Sequence, residues 1–340
     1  MKNNTNQLSS KAQLLNILRE KQGENISGTK LANELGVSRV AVWKIVQSLT
    51  QAGYSIDTGE AGYSINPKHE KDFLYPWEFS GMEKYFNHYN NTTSTMDRAR
   101  EAAFRGVESG SVFTAEKQSA GRGRNGRTWV SRQGGLFFTI LEKPNLAVAD
   151  YTLFSLIIQI AAAKSLTSIC GKKAALRWPN DVYMDNRKIA GITTEISAEG
   201  DLIKWLSAGI GINVNNPAPS AKAACCCEIL HRKISRHDVL IKILEEIETM
   251  KNKFTSTAAY SQGNRTLAAE WNSLAGCIGA RAVVFEPEQK DENSLDKPCK
   301  IYSRGIFEGI DPKGRCILKT DDTTLYFDQG VVSLAFLGSF

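Results

Sequence analysis

Three arginines and three glycines interleave in Gly121-Arg122-Gly123-Arg124-Asn125-Gly126-Arg127-Thr128-Trp129, and an indole closes the run. Glycine lets a backbone approach a ligand closely and adopt conformations that other residues avoid. Arginine brings permanent charge on a planar fork that fits phosphate or carboxylate. A cationic loop ending in a flat aromatic suits an adenylated or phosphorylated small molecule. The same composition also suits a disordered Arg/Gly segment that touches nucleic acid without specificity. The flanks favour the first reading. Residues 111–116 and 135–141 read as strands, the second a buried apolar run. A loop held at both ends on a rigid scaffold is the usual setting of a binding loop.

More candidates lie downstream. Arg177-Trp178-Pro179-Asn180-Asp181 runs from a strand into turn residues, and the chain returns as a hairpin through Lys188. Ile189-Ala190-Gly191-Ile192 then makes a close-packed strand. A lysine entering such a strand needs an anionic partner to offset desolvation, which a ligand carboxylate or phosphate would supply. Residues 206–214 form another strand, where glycines permit close approach and Asn213 offers an amide. Upstream, residues 84–89 read as a strand. Ser94 and Thr95 then open a helix over 96–104, either as simple caps or as ligands for a polar group beside the free N–H donors.

At the N-terminus the spacing of Leu14, Leu15, Ile17 and Leu18 predicts a helix over 11–21. A short helix over 27–35 and a Gly36-Val37 turn lead to Ser38, an N-cap for a third helix reaching Ala52. Val42, Ile45, Val46 and Leu49 share one face of that helix; Arg39, Val40, Trp43, Lys44 and Gln47 fall on the other. This is a helix-turn-helix, and two short strands over 54–65 make its wing. Ser38, Arg39, Trp43, Lys44 and Gln47 are the expected DNA contacts. A winged helix used for protein contacts is the alternative. Pattern carries this reading, because residues 1–65 hold seven Lys/Arg against five Asp/Glu and the whole chain is only +6.

A chain of 340 residues implies two or three domains, and 42% apolar with 23% charged residues is the make-up of a soluble protein. The apolar run Leu153 to Ala163 looks too short and too polar to cross a bilayer, and Met1 to Ser10 is too polar for a secretory signal. A cytoplasmic protein with no membrane partner is expected. Seven cysteines, odd in number and without CxxC spacing, suit reduced thiols. Cys225-Cys226-Cys227 invites a metal, but adjacent cysteines should diverge on a helix and no Cys/His pair lies nearby, so none is assigned.

The Gly121–Trp129 loop, Arg177–Asp181, Arg187-Lys188-Ile189-Ala190-Gly191 and Gly209–Asn213 occur in an order that resembles the biotin protein ligases. With a winged helix in front, nearly the whole chain resembles their bifunctional form, which also represses transcription. The resemblance implies an α/β multidomain fold: a winged helix-turn-helix, a central α+β catalytic domain with a mixed sheet, and a C-terminal SH3-like barrel. It implies that biotin and MgATP give biotinyl-5′-AMP, and that the acyl group then passes to a lysine of a biotin carboxyl carrier domain. By motif position, Ser94, Thr95, Gln118, Gly121, Arg122 and Lys188 would bind biotin. Arg124, Arg127, Trp129, Asn180, Asp181 and Asn213 would bind the nucleotide, brought with Mg2+, with Asn180 and Asp181 shaping the nucleotide and metal region, and no metal-ligand set of the protein's own is assigned. Lys188, Arg122 and Arg124 would be catalytic, because attack of a carboxylate on a phosphate needs preorganised cations rather than a nucleophile. The partners implied are the carrier domain, operator DNA of biotin genes and a second copy of the chain in a ligand-promoted dimer. Asn125 departs from the family, where another Arg is common, and so does Met96, where a polar residue is common. Residues 215–236 carry no readable motif.

The expected divisions are 1–66 for the winged helix, 67–78 for a linker, 79–275 for the catalytic domain and 276–340 for the C-terminal domain. The last is expected as short strands joined by a turn at Asp311-Pro312-Lys313-Gly314, after helices at 237–254 and 267–274, with a charged loop over 286–298. A DNA-binding biotin sensor without ligase activity and a lipoate-type ligase are the competing readings.

Overall fold

The computed structural model describes residues 8–66, 72–254, 260–286 and 300–337. The polar start of the chain up to Gln7, residues 67–71 of the expected linker, the charged loop from residue 287 onward and Cys299 lie outside them. The chain forms two compact units, Met1–His88 and Tyr89–Phe340.

In the first unit α1 (Ser10–Glu20), α2 (Gly28–Leu35) and α3 (Arg39–Gln51) precede β1 (Ile56–Gly59) and β2 (Gly62–Ile65). A serine caps each helix: Ser9, Ser27 and Ser38 accept from Ala12, Lys30 and Ala41 amides at 3.2, 3.2 and 3.1 Å. These bonds satisfy amides that a helix start leaves free. Gly36 ends α2 in the left-handed region at φ 64°, where a Cβ would be strained. Leu14, Leu15, Leu18, Val42, Val46 and Leu49 are fully buried together. Part of the segment expected as linker belongs to this packing: Phe73, Tyr75 and Trp77 lie against that core. Glu78 accepts from Arg19 at 2.9 Å and from the Tyr54 hydroxyl.

The strand expected at residues 84–89 begins later. Glu83–Tyr85 is a single 3-10 turn and β3 is Phe86–Thr92. Then follow α4 (Thr95–Phe104), β4 (Ser111–Gln118), β5 (Leu136–Glu142), α5 (Tyr151–Cys170), β6 (Ala175–Arg177), β7 (Asp181–Met184), β8 (Arg187–Glu199) and β9 (Leu202–Ile212). They build a seven-stranded sheet in the order β3-β4-β5-β9-β8-β7-β6. Ser119 and Ala120 amides donate to Thr92 and Thr93 carbonyls, advancing together, which is the parallel sense that the α4 crossover requires. β4 to β9 pair antiparallel, so the sheet is mixed. The region read as one hairpin is two. A turn at residues 178–180 joins β6 to β7, and Asp185-Asn186, both at positive φ, joins β7 to β8. Asn and Asp tolerate that geometry, which matches strand twist in a two-residue turn.

The helix holding the Leu153 run corrects the sequence expectation. With the 3-10 turn before it, it spans Val148–Cys170 and is long and apolar enough to cross a membrane by length and composition, but it is mostly buried inside the protein. A helix covered on all sides is apolar all round. Gln159 accepts from Trp271 Nε1 at 2.9 Å and donates to Ser155 at 3.1 Å, while the Ser165 hydroxyl is buried without a partner.

After α6 (Cys226–Leu230), α7 (Arg236–Phe254) and α8 (Tyr260–Leu274), a five-stranded antiparallel sheet closes the chain. Its strands are β10 (Arg281–Phe285), β11 (Ile301–Ile310), β12 (Cys316–Lys319), β13 (Thr324–Phe327) and β14 (Ser333–Phe336), in the order β13-β12-β11-β10-β14. The turn at Asp311–Gly314 forms as expected: Gly314 N donates to Asp311 O at 2.8 Å. Asn272 on α8 pairs with both the amide and the carbonyl of Ile310, which fixes this sheet to the helix layer.

Candidate active site

The Arg/Gly loop leaves β4 and returns to β5, and its base is clamped. The Arg236 guanidinium, 6% exposed, donates to both Glu116 carboxylate oxygens at 2.8 and 3.2 Å and to the Gly135 carbonyl at 3.1 Å. Glu116 precedes the loop and Gly135 follows it, so one buried side chain joins both ends. Inside the loop, Gly123 N donates to Arg127 O at 2.7 Å and Trp129 N to Gly121 O at 2.8 Å. Asn125 takes positive φ at 55°.

The loop covers a cleft over the middle of the sheet. Its walls include Ser94, Thr95, Gln118, Arg122, Arg124, Arg127, Trp129, Asn180, Asp181 and Lys188. Most residues singled out from sequence therefore meet in one place, from five separate segments. Ser94 caps α4 through Met96 N at 3.2 Å. Thr95 is held by Gln118, whose Oε1 accepts from Thr95 N at 2.7 Å and Oγ1 at 3.2 Å, while Gln118 Nε2 donates to Ser131 at 2.8 Å. Thr139 on β5 donates to Thr95 Oγ1 at 2.8 Å. The capping role is thus real, and the polar cluster beneath it faces the cleft.

Two expected residues stand elsewhere. Gly121 is buried beneath the loop, where a Cβ would lie 2.5 Å from Trp129 O. Asn213 is 1% exposed and is not on the cleft wall; its Oδ1 accepts from Asn216 at 2.9 Å and its Nδ2 is buried without a partner. The glycines of β8 and β9 receive protein rather than empty space. A Cβ at Gly211 would sit 2.5 Å from Trp129 Nε1, one at Gly191 2.9 Å from its Cζ3, and one at Gly209 2.7 Å from Met96 Sδ. The Trp129 indole therefore lies flat on two strands as the floor of the cleft.

The cations differ in their surroundings. The anionic partner that Lys188 needs comes from the chain itself: its Nζ lies 2.7 Å from Asp181 and 5.4 Å above the Trp129 ring. Arg122 pairs with Asp97 at 2.7 Å and approaches Glu195 at 3.8 Å. Arg124 reaches Asn180 Oδ1 only at 3.5 Å, and its other terminal nitrogen is buried without a partner. Burial pulls this guanidinium below the usual arginine range, and Asp181 opposes the shift. A buried donor left unpaired costs free energy that an anion at the same place would recover.

Several wall residues lie outside the set of expected site residues. Arg177 stacks on Tyr183 at 3.8 Å and faces Phe336 at 5.4 Å. Phe285, Val332, Ser333 and Leu334 bring the C-terminal sheet to the cleft. Trp178 Nε1 donates to the Gly314 carbonyl at 3.2 Å and ties that sheet to the Trp-Pro turn. Only the approach of segments more than a hundred residues apart makes this wall.

Among the described residues no group of three or more His, Cys, Asp or Glu could hold a metal. The cysteine run does not behave as expected, however. Cys225 and Cys227 converge, with their sulfurs 3.1 Å apart, because Cys225 is the extended N-cap of α6 rather than a helical residue.

Residues 89–213 match the biotin/lipoate A/B protein ligase family, and residues 11–64 match a helix-turn-helix domain. The bifunctional ligase/repressor BirA of Bacillus subtilis is 30% identical over 321 residues, covering 91% of this chain and 94% of its own. The Escherichia coli protein of that name is 27% identical, with 98% of each chain covered. A solved biotin protein ligase from Aquifex aeolicus, in complex with biotin and ATP, aligns at TM-score 0.60 and 26% identity, over 74% of this chain and 99% of that one. Motifs in order, a cleft that gathers them, and relatives matched over almost their full length make this chain a member of the bifunctional ligase/repressor BirA family.

Proposed function

We propose that this protein joins biotin to ATP as biotinyl-5′-AMP, transfers the biotinyl group to a lysine of a biotin carboxyl carrier domain, and represses biotin genes through its winged helix. The observation that carries the catalytic half is the buried, unpartnered Arg124 nitrogen beside Lys188 and Asp181 on the cleft wall. It is an anion site already built.

In this reading Ser94, Thr95 and Gln118 hold the polar ring of biotin, with Gly121 shaping the loop beside it. Lys188 exchanges Asp181 for the biotin carboxylate and the α-phosphate. Arg122 lies beside biotin, Arg124 and Arg127 collect the remaining phosphate charge, and Trp129 forms the floor. Asn180 and Asn213 belong to the nucleotide side, Asn213 from beneath the wall. As negative charge passes from carboxylate to pyrophosphate, fixed cations stabilise it without reorganising. Asp181 is the carboxylate that would meet Mg2+ carried in on the nucleotide; the ion supplies charge neutralisation at the phosphates, and a site with one carboxylate and substrate phosphates is the usual arrangement for it. We place the winged-helix domain at 1–66, with Phe73, Tyr75 and Trp77 of the 67–78 segment packed on it, the catalytic domain at 79–275 and the C-terminal domain at 276–340, with the C-terminal sheet an SH3-like barrel, and the protein in the cytoplasm as a ligand-promoted homodimer.

ATP–pyrophosphate exchange run with biotin and with lipoate tests the reading. Biotin-dependent exchange alone is expected; lipoate-dependent exchange, or none, overturns it.

The loop is expected to be cut less readily by trypsin between Arg122 and Arg127 once biotin and ATP are added, because anions pin its arginines. Equal cleavage with and without ligands would remove the lid role. On α3, Arg39, Lys44 and Gln47 are exposed beside Val40 and Trp43, while Ser38 caps the helix. Arg39→Ala or Lys44→Ala is expected to weaken operator binding and to lower its salt slope by about 1 for each phosphate no longer neutralised. Exchange activity should not change. A DNA titration at several salt concentrations, run beside the exchange assay, checks both.

A further inference from the structure

Four thiols gather behind the strand that carries Lys188, and the ligase chemistry uses none of them. Cys170 ends α5, and Cys225, Cys226 and Cys227 open α6. They fall into two pairs. Cys226, fully buried, is hydrogen-bonded to Cys170, itself 6% exposed. Cys225 Sγ lies 3.1 Å from Cys227 Sγ. Cys225 is 3% exposed, whereas Cys227 is half-buried and reachable from solvent. A disulfide of about 2.05 Å needs these two sulfurs to close by about 1 Å.

Closure would pull on the active site. The segment just before α6 is strapped to β8: Lys188 N donates to Lys222 O at 3.2 Å, and Ala224 N donates to Lys188 O at 3.0 Å. Cys226 N donates to Asn213 O at 3.0 Å and Cys227 N to Val214 O at 2.9 Å. Arg187, next to Lys188, pairs with Glu228 on α6. The cysteine run and the residues just before it therefore hold both backbone groups of Lys188 and the carbonyl of Asn213.

We propose that Cys225 and Cys227 form a reversible dithiol site, closed to an intramolecular disulfide by a low-molecular-weight disulfide of the glutathione class, and that closure slows adenylate formation through Lys188. The second half rests on the ligase reading; the first does not. The Cys227 thiolate attacks one sulfur of the external disulfide and releases a thiolate, which takes a proton. The Cys225 thiolate then attacks the Cys227 sulfur of the mixed disulfide and releases the second. Two protein thiols are oxidised, and one external disulfide is reduced to two thiols. Cys170 and Cys226 stay out of the exchange because neither is open to a solvent oxidant. Burial, with Cys225 adding to it, pushes the Cys227 thiol up to about 11. The first step is therefore slow near neutrality and quickens about tenfold per pH unit below that value, following the thiolate fraction.

The test treats the full chain with oxidised glutathione, quenches in acid, and digests with trypsin without reduction. Cleavage after Lys222 and Arg232 puts the three adjacent cysteines on one peptide and Cys170 on another. The adjacent-cysteine peptide is expected to lose two hydrogens, with fragment ions bridging Cys225 and Cys227, and faster at higher pH. Biotin-dependent exchange should fall roughly tenfold or more, as a displacement near 1 Å at reacting groups can cost, and dithiothreitol should restore it. A Cys225→Ser/Cys227→Ser double variant should keep its activity under the oxidant. A cross-link to the Cys170 peptide, a lasting glutathione adduct on Cys227, or closure with unchanged exchange overturns the proposal. If reduced protein shows no exchange at all, the ligase reading fails, and the peptide masses alone still decide the dithiol.

Discussion

Lys188→Ala is expected to lower biotin-dependent ATP–pyrophosphate exchange by about 10²- to 10³-fold, the loss that follows removal of one preorganised charge-stabilising donor. The substitution deletes a cation on the cleft wall and leaves Asp181 facing the incoming phosphates without its 2.7 Å partner. Both changes raise the barrier. The fold should survive, because the Lys188 and Asp181 side chains keep 31% and 23% exposure, and a pair that open contributes at most about 1 kcal/mol. Exchange rate and thermal midpoint, measured on one preparation, separate the two effects. A variant that melts like the parent and exchanges at near the parental rate would take Lys188 out of the mechanism.

Arg236→Ala should have a large effect on stability, about 3–5 kcal/mol, the cost of breaking a largely buried ion pair by removing one partner. Arg236 is 6% exposed and bidentate to Glu116. The same change frees Gly135 O, so the two ends of the Arg/Gly loop lose their clamp. Urea unfolding followed by signals from the catalytic unit measures the loss, and a double-mutant cycle with Glu116→Ala isolates the pair. A loss under about 1 kcal/mol would mean that water replaces the guanidinium and that the clamp is dispensable.

Much of the candidate site that gathers at the cleft was legible in one dimension because its chemistry is local. Gly121–Trp129, Asn180-Asp181 and Lys188 each sit in a short run whose residue types declare charge, turn or close packing. The winged helix was legible for the same reason, since serine caps, a left-handed Gly36 and 3.6-residue periodicity act within a few residues of each other. The Asp185-Asn186 turn was missed beside the more conspicuous Pro179-Asn180-Asp181. The length of the apolar helix was underestimated because Ser165, Thr167 and Ser168 interrupt its run, although backbone hydrogen bonding continues through them.

The sequence by itself determined which residues could carry charge and where helices, strands and turns begin, because propensity, capping and periodicity are short-range. Only the tertiary structure decided who meets whom. It put Asp181 against Lys188 where a ligand had been expected, seated Trp129 on Gly191 and Gly211, and withdrew Asn213 from the cleft wall. It also brought Phe285 and Ser333 to the cleft and turned Cys225 toward Cys227. These contacts depend on strand order, register and the docking of distant segments, which are set by burying the whole core at once and leave no mark on the spacing of neighbouring residues.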